Sequence, residues 1–203
     1  MLIDLRLLQK KYNLNINGVI HIGAHYGEED KIYDELKIKK RIYFEPLKTN
    51  YDILIQKTNS EFCKYHNVAL GNSEGEIYMN LSSNNNASAS VLEPKNHLEL
   101  HRNVKFNGTE KVKIKKLDSF NISNEYNMIN IDVQGYELEV FKGGSKTLDK
   151  VDYIMSEVNR DEVYKDCPHI DDLIKFLSPY GFTLVEENWA GRQWGDAFFI
   201  KKL

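Results

Sequence analysis

Gly18-Val19-Ile20-His21-Ile22-Gly23-Ala24-His25-Tyr26-Gly27 is an apolar run that enters a turn of small residues. Ile42-Tyr43-Phe44-Glu45-Pro46 answers it with a carboxylate at the end of the next apolar run. Gly23 and Gly27 let backbone amides come close to a ligand, and the turn is expected to open a helix whose N-terminus faces that ligand. Glu45 stands 22 residues beyond Gly23, about where a ribose-binding acid sits in doubly wound nucleotide folds. The glycine spacing is not G-x-G-x-x-G, so a dinucleotide pyrophosphate fits poorly. A nucleoside without phosphates, such as S-adenosylmethionine, fits better.

Outward from this turn the pattern alternates strand and helix. Residues 1–15 read as an amphipathic N-terminal helix, with Leu2, Leu5, Leu8 and Tyr12 on one stripe. Strand 18–23 leads to a helix around Glu28–Lys37, whose acidic start suits the positive helix end. Strand 41–45, helix 47–58 and strand 62–70 follow, then a turn at 71–75 and an alternating strand 76–81. Ser82-Ser83-Asn84-Asn85-Asn86-Ala87-Ser88-Ala89-Ser90 breaks all periodicity. It reads as a flexible linker or a mobile loop over a pocket, and we take 82–96 as the loop. Strand 110–117, a buried strand 126–132, helix 136–148, strand 151–158 and helix 170–180 come next, and strands 182–187 and 196–201 end the chain as a hairpin. The expected fold is α/β and doubly wound: a mostly parallel seven-stranded sheet with an antiparallel last strand, in a single domain spanning 1–203.

Composition narrows the function. A hydrophobic content of 41% with 28% charged residues is that of a soluble globular chain. The formal net charge of −3 gives no electrostatic case for nucleic acid, and the lysines at 111, 113, 115 and 116 read as the wet face of a strand. Cys63 and Cys167 have no C-x-x-C or zinc spacing, and a protein without disulfides is the default expectation. No signal peptide or membrane span is visible, so the expected location is cytoplasmic.

In open α/β sheets, ligands gather beyond the carboxyl ends of the strands. Those ends supply Gly23, Ala24, His25 and Gly27, then Glu45, then Asn67 and Ala69, then Asp132 with Gln134-Gly135, then Glu157 and Asn159. Asp132, Glu157 and Asn159 could hold a hard divalent cation such as magnesium, orient a substrate hydroxyl, or serve as acid and base. Glu137 reads as a favourable first-turn acid on its helix. His21 reads as a satisfied core residue, while Tyr164 and Trp194 are either core aromatics or walls of an acceptor pocket.

Asn-Ile-Asp-Val-Gln-Gly-Tyr-Glu-Leu-Glu-Val-Phe-Lys-Gly-Gly (130–144) resembles the signature of the FkbM-type methyltransferase family. So do the Gly-Ala-x-x-Gly turn, Phe44-Glu45-Pro46, Asn67-Val68-Ala69-Leu70-Gly71, Ser88–Leu92 and Val112–Ser119, in collinear order. Ser156-Glu157-Val158-Asn159 and Trp194-Gly195-Asp196-Ala197 resemble a subgroup of that family. The resemblance covers roughly 16–201. It implies a class I methyltransferase-like Rossmann fold and an S-adenosylmethionine-dependent O-methyltransferase acting on a small-molecule hydroxyl, with a sugar or glycan as the preferred acceptor. It implies that Gly23 and Ala24 frame the methionine end of the cofactor and that Glu45 accepts from the ribose hydroxyls. Asn67, Val68 and Ala69 would line the adenine, and Asp132 would sit near the sulfonium and the acceptor. Two positions depart from the family: Asp is common where this chain has His21, and Lys where it has Asn130. The rival readings are an NAD-binding oxidoreductase, a non-catalytic nucleoside-binding domain and a nucleic-acid methyltransferase.

Overall fold

The computed structural model describes residues 1–58 and 60–202. Its centre is a seven-stranded sheet in the order β3-β2-β1-β7-β8-β10-β9. The strands are β1 (Gly18–Ile22), β2 (Lys40–Phe44), β3 (Cys63–His66), β7 (Met128–Ile131), β8 (Tyr153–Asn159), β9 (Phe182–Ala190) and β10 (Trp194–Lys201). All neighbouring pairs are parallel except that β10 runs antiparallel to both β8 and β9. The returning last strand expected from the hairpin spacing is therefore present. It is inserted inside the sheet, leaving β9 at the edge.

Alternation along the strands explains the two-sided core. Val19, Tyr43, Met128, Met155 and Phe198 join one apolar cluster with Leu5, Leu8, Tyr33 and Leu54. These last come from α1 (Leu5–Tyr12), α2 (Asp30–Glu35) and α3 (Lys48–Thr58). The intervening residues Ile20, Ile42, Ile129, Ile154 and Phe199 join the opposite cluster. That cluster is covered by α5 (Glu137–Lys142), α6 (Ser145–Leu148) and α7 (Ile170–Leu177). Because successive side chains point to opposite faces, helices on both sides need strands that are apolar throughout. The burial of all of β1 and β7 satisfies this.

Four expectations shift. The first helix begins only at Leu5, where Asp4 caps it by accepting from the Arg6 amide, and Leu2 stays exposed. The stretch 62–70 is not one strand: it breaks at Asn67-Val68, and β4 (Ala69–Leu70) turns into a second sheet. That sheet, ordered β4-β6-β5, also takes β5 (Gly75–Ser82) and β6 (Phe106–Lys115). The expected helix 136–148 divides at Gly143-Gly144. A Cβ on Gly143 would fall 2.0 Å from the Gly71 carbonyl oxygen, so two backbones meet where only glycine fits. Finally, the turn after β1 does not open directly into α2, which starts seven residues beyond Gly23. A short helix, α4 (His97–Leu100), lies between β5 and β6 in sequence. Among the described residues, no helix is long and apolar enough to cross a membrane.

Candidate active site

Parallel pairing of β1, β2, β7 and β8 puts their carboxyl ends on one edge of the sheet. The turn after β1 is fixed by Gly23 N and Ala24 N donating to Phe44 O at 3.0 and 3.1 Å. Gly23 has φ +76°, and a Cβ there would stand 1.9 Å from the Asp132 carbonyl oxygen. Any side chain would thus be strained and would also push β7 away. Around this turn opens a cavity of about 310 Å³, within the range of small-molecule sites. Gly23, Ala24, His25, Glu45, Val68, Ala69 and Asp132 all line it.

Three expected ligand contacts lie elsewhere. Gly27 packs against Leu54 and Thr58. Asn67 donates its side-chain amide to the carbonyls of Glu45 and Pro46 at 2.9 and 2.8 Å, fixing the chain after β2. Asn159 is buried and lines neither this cavity nor the neighbouring one.

Glu45 is buried, with Oε2 accepting from His25 N and Oε1 from Leu47 N, both at 2.9 Å. It therefore caps the following turn and still faces the cavity. Burial pushes its carboxyl up to about 7, against the pull of those two amides. Near Glu45 the cavity wall is apolar, with Phe44, Leu47, Val68, Ala69 and Met79. The other end is polar, with His21, Glu29 and Asp132.

A second cavity of about 280 Å³ shares Met1, Ala87, Asp132 and Gln134 with the first and adds Glu157. Carboxylate oxygens of Asp132, Glu137 and Glu157 come within 4.8 Å of one another. Burial raises the pKa of all three, Glu157 furthest and Glu137 to about 7, and their mutual repulsion adds to the shift of Glu137 and Glu157. Between Asp132 and Glu157 sits the Gln134 amide, its Nε2 donating at 2.7 and 3.1 Å. Glu137 Oε1 accepts from Val133 N and Gly135 N at 3.0 and 3.1 Å, so it folds the loop after β7 rather than facing a substrate. The Gln134 amide takes one oxygen each of Asp132 and Glu157, and Asn159 lines neither cavity with them. The residues present do not fit the cation site expected of Asp132, Glu157 and Asn159.

Gln134 and Asp196 also line the second cavity, and the sequence assigns neither of them a role. Gln134, at φ +55°, is held by Tyr164 OH on its Oε1 at 2.7 Å and by Ser90 Oγ on its carbonyl at 2.7 Å. Asp196 is the register partner of Glu157 across β8 and β10, and it accepts from the Leu2 and Ile3 amides. The signal for both was weak: a Gln beside a strand-end Asp, and an acid at the start of the reversed strand.

The two departures at His21 and Asn130 prove to be one. These residues are register partners across β1 and β7. Asn130 Nδ2 donates to Tyr33 OH at 2.6 Å, and that hydroxyl lies 3.3 Å from His21 Nδ1. Burial lowers the pKa of His21, so the pair is neutral at pH 7. A hydrogen-bonded neutral group thus stands where the resemblance would place opposite charges.

A doubly wound sheet with one reversed inner strand, a glycine turn, a buried strand-end acid and an aspartate where two cavities meet together define a methyltransferase-type α/β protein. Residues 21–184 match the model of the Methyltransferase FkbM domain. The chain belongs to that family of S-adenosylmethionine-dependent methyltransferases. It is 27% identical over 164 residues to the 2-O-methyltransferase NoeI of Sinorhizobium fredii, covering 72% of this chain and 65% of NoeI. Among solved structures it is similar to a candidate S-adenosylmethionine-dependent methyltransferase of Listeria monocytogenes, with TM-score 0.57, 12% identity and 97% of each chain covered. It is also similar to a candidate tRNA (m1A22) methyltransferase of Streptococcus pneumoniae in complex with S-adenosyl-L-methionine. There the TM-score is 0.51 and the identity 15%, with 97% of this chain and 71% of that one covered. At these identities the structures speak to the fold alone.

Proposed function

We propose that the chain forms one methyltransferase domain over 1–203 and transfers a methyl group from S-adenosylmethionine to a hydroxyl of a small molecule, a sugar or glycan being the preferred acceptor. The observation that carries this reading is Asp132, which lines both cavities at the end of a buried strand. The printed activity of NoeI, 2-O-methyl transfer, supports oxygen as the acceptor atom. The formal net charge of −3 gives no electrostatic support for a nucleic-acid acceptor.

The first cavity suits the cofactor by the chemistry of its walls. Glu45 would accept hydrogen bonds from the ribose hydroxyls, the apolar wall around Val68 and Met79 would hold the adenine, and Gly23 with Ala24 would frame the methionine end. When bound, the cofactor supplies a methyl group on a positively charged sulfur, to which the carbon–sulfur electron pair returns as the new carbon–oxygen bond forms. An alcohol oxygen is a weak nucleophile until its proton is being removed. Asp132 accepts that proton on its carboxylate. Gln134 and Glu157 fix the orientation of Asp132, and the apolar surround keeps water from competing.

Calorimetric titration with S-adenosylhomocysteine, with NAD as control, tests the cofactor. We expect micromolar binding that is lost in Glu45→Ala and absent for NAD; no binding by folded protein overturns the reading. Asp132→Asn should keep that affinity while slowing transfer from labelled S-adenosylmethionine by about 10²–10⁴-fold. Near-normal transfer would remove Asp132 from the chemistry.

A further inference from the structure

The turn 82–90 closes one side of the cofactor cavity, to which it contributes Asn86, Ala87 and Ala89. Both of its ends are fixed from outside. Ser83 exchanges two hydrogen bonds with Lys105, its amide donating at 2.8 Å and its hydroxyl accepting at 2.9 Å. At the other end Tyr164 OH lies 3.0 Å from Ser88 O, and Ser90 Oγ donates to Gln134 O at 2.7 Å. Between these ends, and among the described residues, residues 84–87 have one hydrogen bond from outside the turn, that of His25 with the Asn85 carbonyl.

His25 has an acceptor on each ring nitrogen: Glu28 Oε1 lies 2.8 Å from Nδ1, and Asn85 O lies 2.9 Å from Nε2. A neutral imidazole carries one N–H and cannot donate to both; the imidazolium can. Around it, Glu45 at the end of β2 accepts from the His25 amide at 2.9 Å. The Tyr26 ring stacks on the imidazole with centroids 3.9 Å apart, and Lys57 of α3 lies 4.7 Å from the Tyr26 centroid. Burial lowers the pKa of His25, but Glu28, the Asn85 carbonyl and Glu45 outweigh it, and the net direction is upward.

Loss of one proton forces a choice between the two contacts. A hydrogen bond to a carboxylate is charge-assisted and stronger than one to a carbonyl. The remaining proton therefore stays on Nδ1, beside Glu28, whose Oε2 also accepts from the Tyr26 amide at 3.2 Å. Nε2 then turns a lone pair toward the Asn85 carbonyl, and the contact that held 84–87 becomes repulsive. Building on the methyltransferase reading, we infer that His25 is a positioning residue: as the imidazolium it latches residues 84–87 over the cofactor cavity, and it releases them when its Nε2 proton passes to water. The latch is set at low pH and is lost as the pH rises through the His25 value, above that of an ordinary histidine. A closed turn slows entry and exit of the cofactor alike, so the latch governs how fast it exchanges, while Glu45 governs how tightly it is held.

The test is an NMR titration of the nitrogen-labelled, unliganded full chain from about pH 5.5 to about pH 9, reading the His25 ring nitrogens and the amides of Asn85, Asn86 and Ala87. In wild type the three amides should shift with the His25 midpoint, and their heteronuclear NOE should fall above it. In Glu28→Gln the new side-chain amide can donate to Nδ1, so a neutral ring keeps its proton on Nε2 and the turn stays held. Shifts and NOE should then be flat across the range. His25→Asn, a residue that tolerates the φ of +46° there, should leave the turn loose at every pH. Glu45, raised to about 7, titrates in the same range, and Glu45→Gln should keep the pH dependence of the turn. Release of radiolabelled S-adenosylhomocysteine at pH 8.5 should be about fivefold slower or more from Glu28→Gln than from wild type, and equal within about twofold at pH 6. Amides that do not follow His25, or that follow it equally in Glu28→Gln, would overturn the latch, and so would equal release from both proteins at pH 8.5. Failure of S-adenosylhomocysteine to bind wild-type protein would strike the methyltransferase reading instead, because the unliganded titration decides the latch on its own.

Discussion

Glu45 combines a structural and a binding duty in one side chain. Its two oxygens take one backbone amide each, from His25 and Leu47, which leaves each oxygen a further lone pair toward the cavity. Burial raises its pKa to about 7, while ribose hydroxyls donate best to the ionised form. Cofactor binding therefore draws off the proton, and affinity rises as the pH rises through 7. We expect S-adenosylhomocysteine to bind about tenfold more weakly at pH 6 than at pH 8.5. Glu45→Gln should bind more weakly and lose this slope. A flat profile in the wild type would mean that Glu45 is ionised throughout and serves only as a cap. His21 and Asn130 show the same economy: paired in register, they keep the strand interior neutral.

At the scale of elements, the turn 82–90 governs the site. Its Ser/Asn composition suggests a linker, yet Ser82, Ser88, Ala89 and Ser90 are buried. Asn84 Nδ2 donates to Ser88 Oγ at 3.0 Å, Ser88 N to Ser82 Oγ at 3.1 Å, and Ser90 Oγ reaches the Gln134 carbonyl. Asn85 and Asn86 have φ of +59° and +63°, the left-handed region that asparagine tolerates better than most residues. The composition is turn chemistry. His25 Nε2 lies 2.9 Å from the Asn85 carbonyl, which ties the turn to the glycine turn after β1. Tyr164 ties it to the far side, its hydroxyl lying 3.0 Å from Ser88 O and 2.7 Å from Gln134 Oε1. Tyr164→Phe should cost about 1–2 kcal/mol, since it leaves buried acceptors unpaired, and lower Tm by roughly 2–8 °C. An unchanged melting curve would show that Asp132 and Glu157 hold Gln134 unaided.

At the scale of the molecule, the site is bought with stability. Glu45 and Glu137 have pKa values raised to about 7 by burial, so the folded state holds their protons more tightly than the unfolded chain. Their stabilising contribution is complete below the unfolded value and is lost as the pH rises through 7. Between pH 6.5 and pH 8 each group should remove about 1 kcal/mol. Buried His97, lowered to about 4 by burial and by His101, acts oppositely, but only below the ordinary histidine range. The unliganded protein should therefore melt higher at pH 6.5 than at pH 8, and Glu137→Gln should flatten the trend in calorimetry. A Tm that rises over that interval would show these carboxyls already ionised in the folded protein.

The chain's local patterns by themselves determined the two-faced sheet, the reversed last strand, the glycine turn and the acids ending β2 and β7. Each depends on residues near in sequence: the period of apolar residues, a positive φ at Gly23, a carboxylate at a strand end. Neighbouring in space was decided only by the tertiary structure. Register across β8 and β10 sets Asp196 opposite Glu157, and the return of 82–90 sets Ser90 and Tyr164 on Gln134. The detour of β4 into the small sheet leaves Asn67 to tie the backbone after β2. These pairings join buried polar groups far apart along the chain. Burial makes an unpaired polar group costly wherever it lies, so the fold, and not the local sequence, selects its partner.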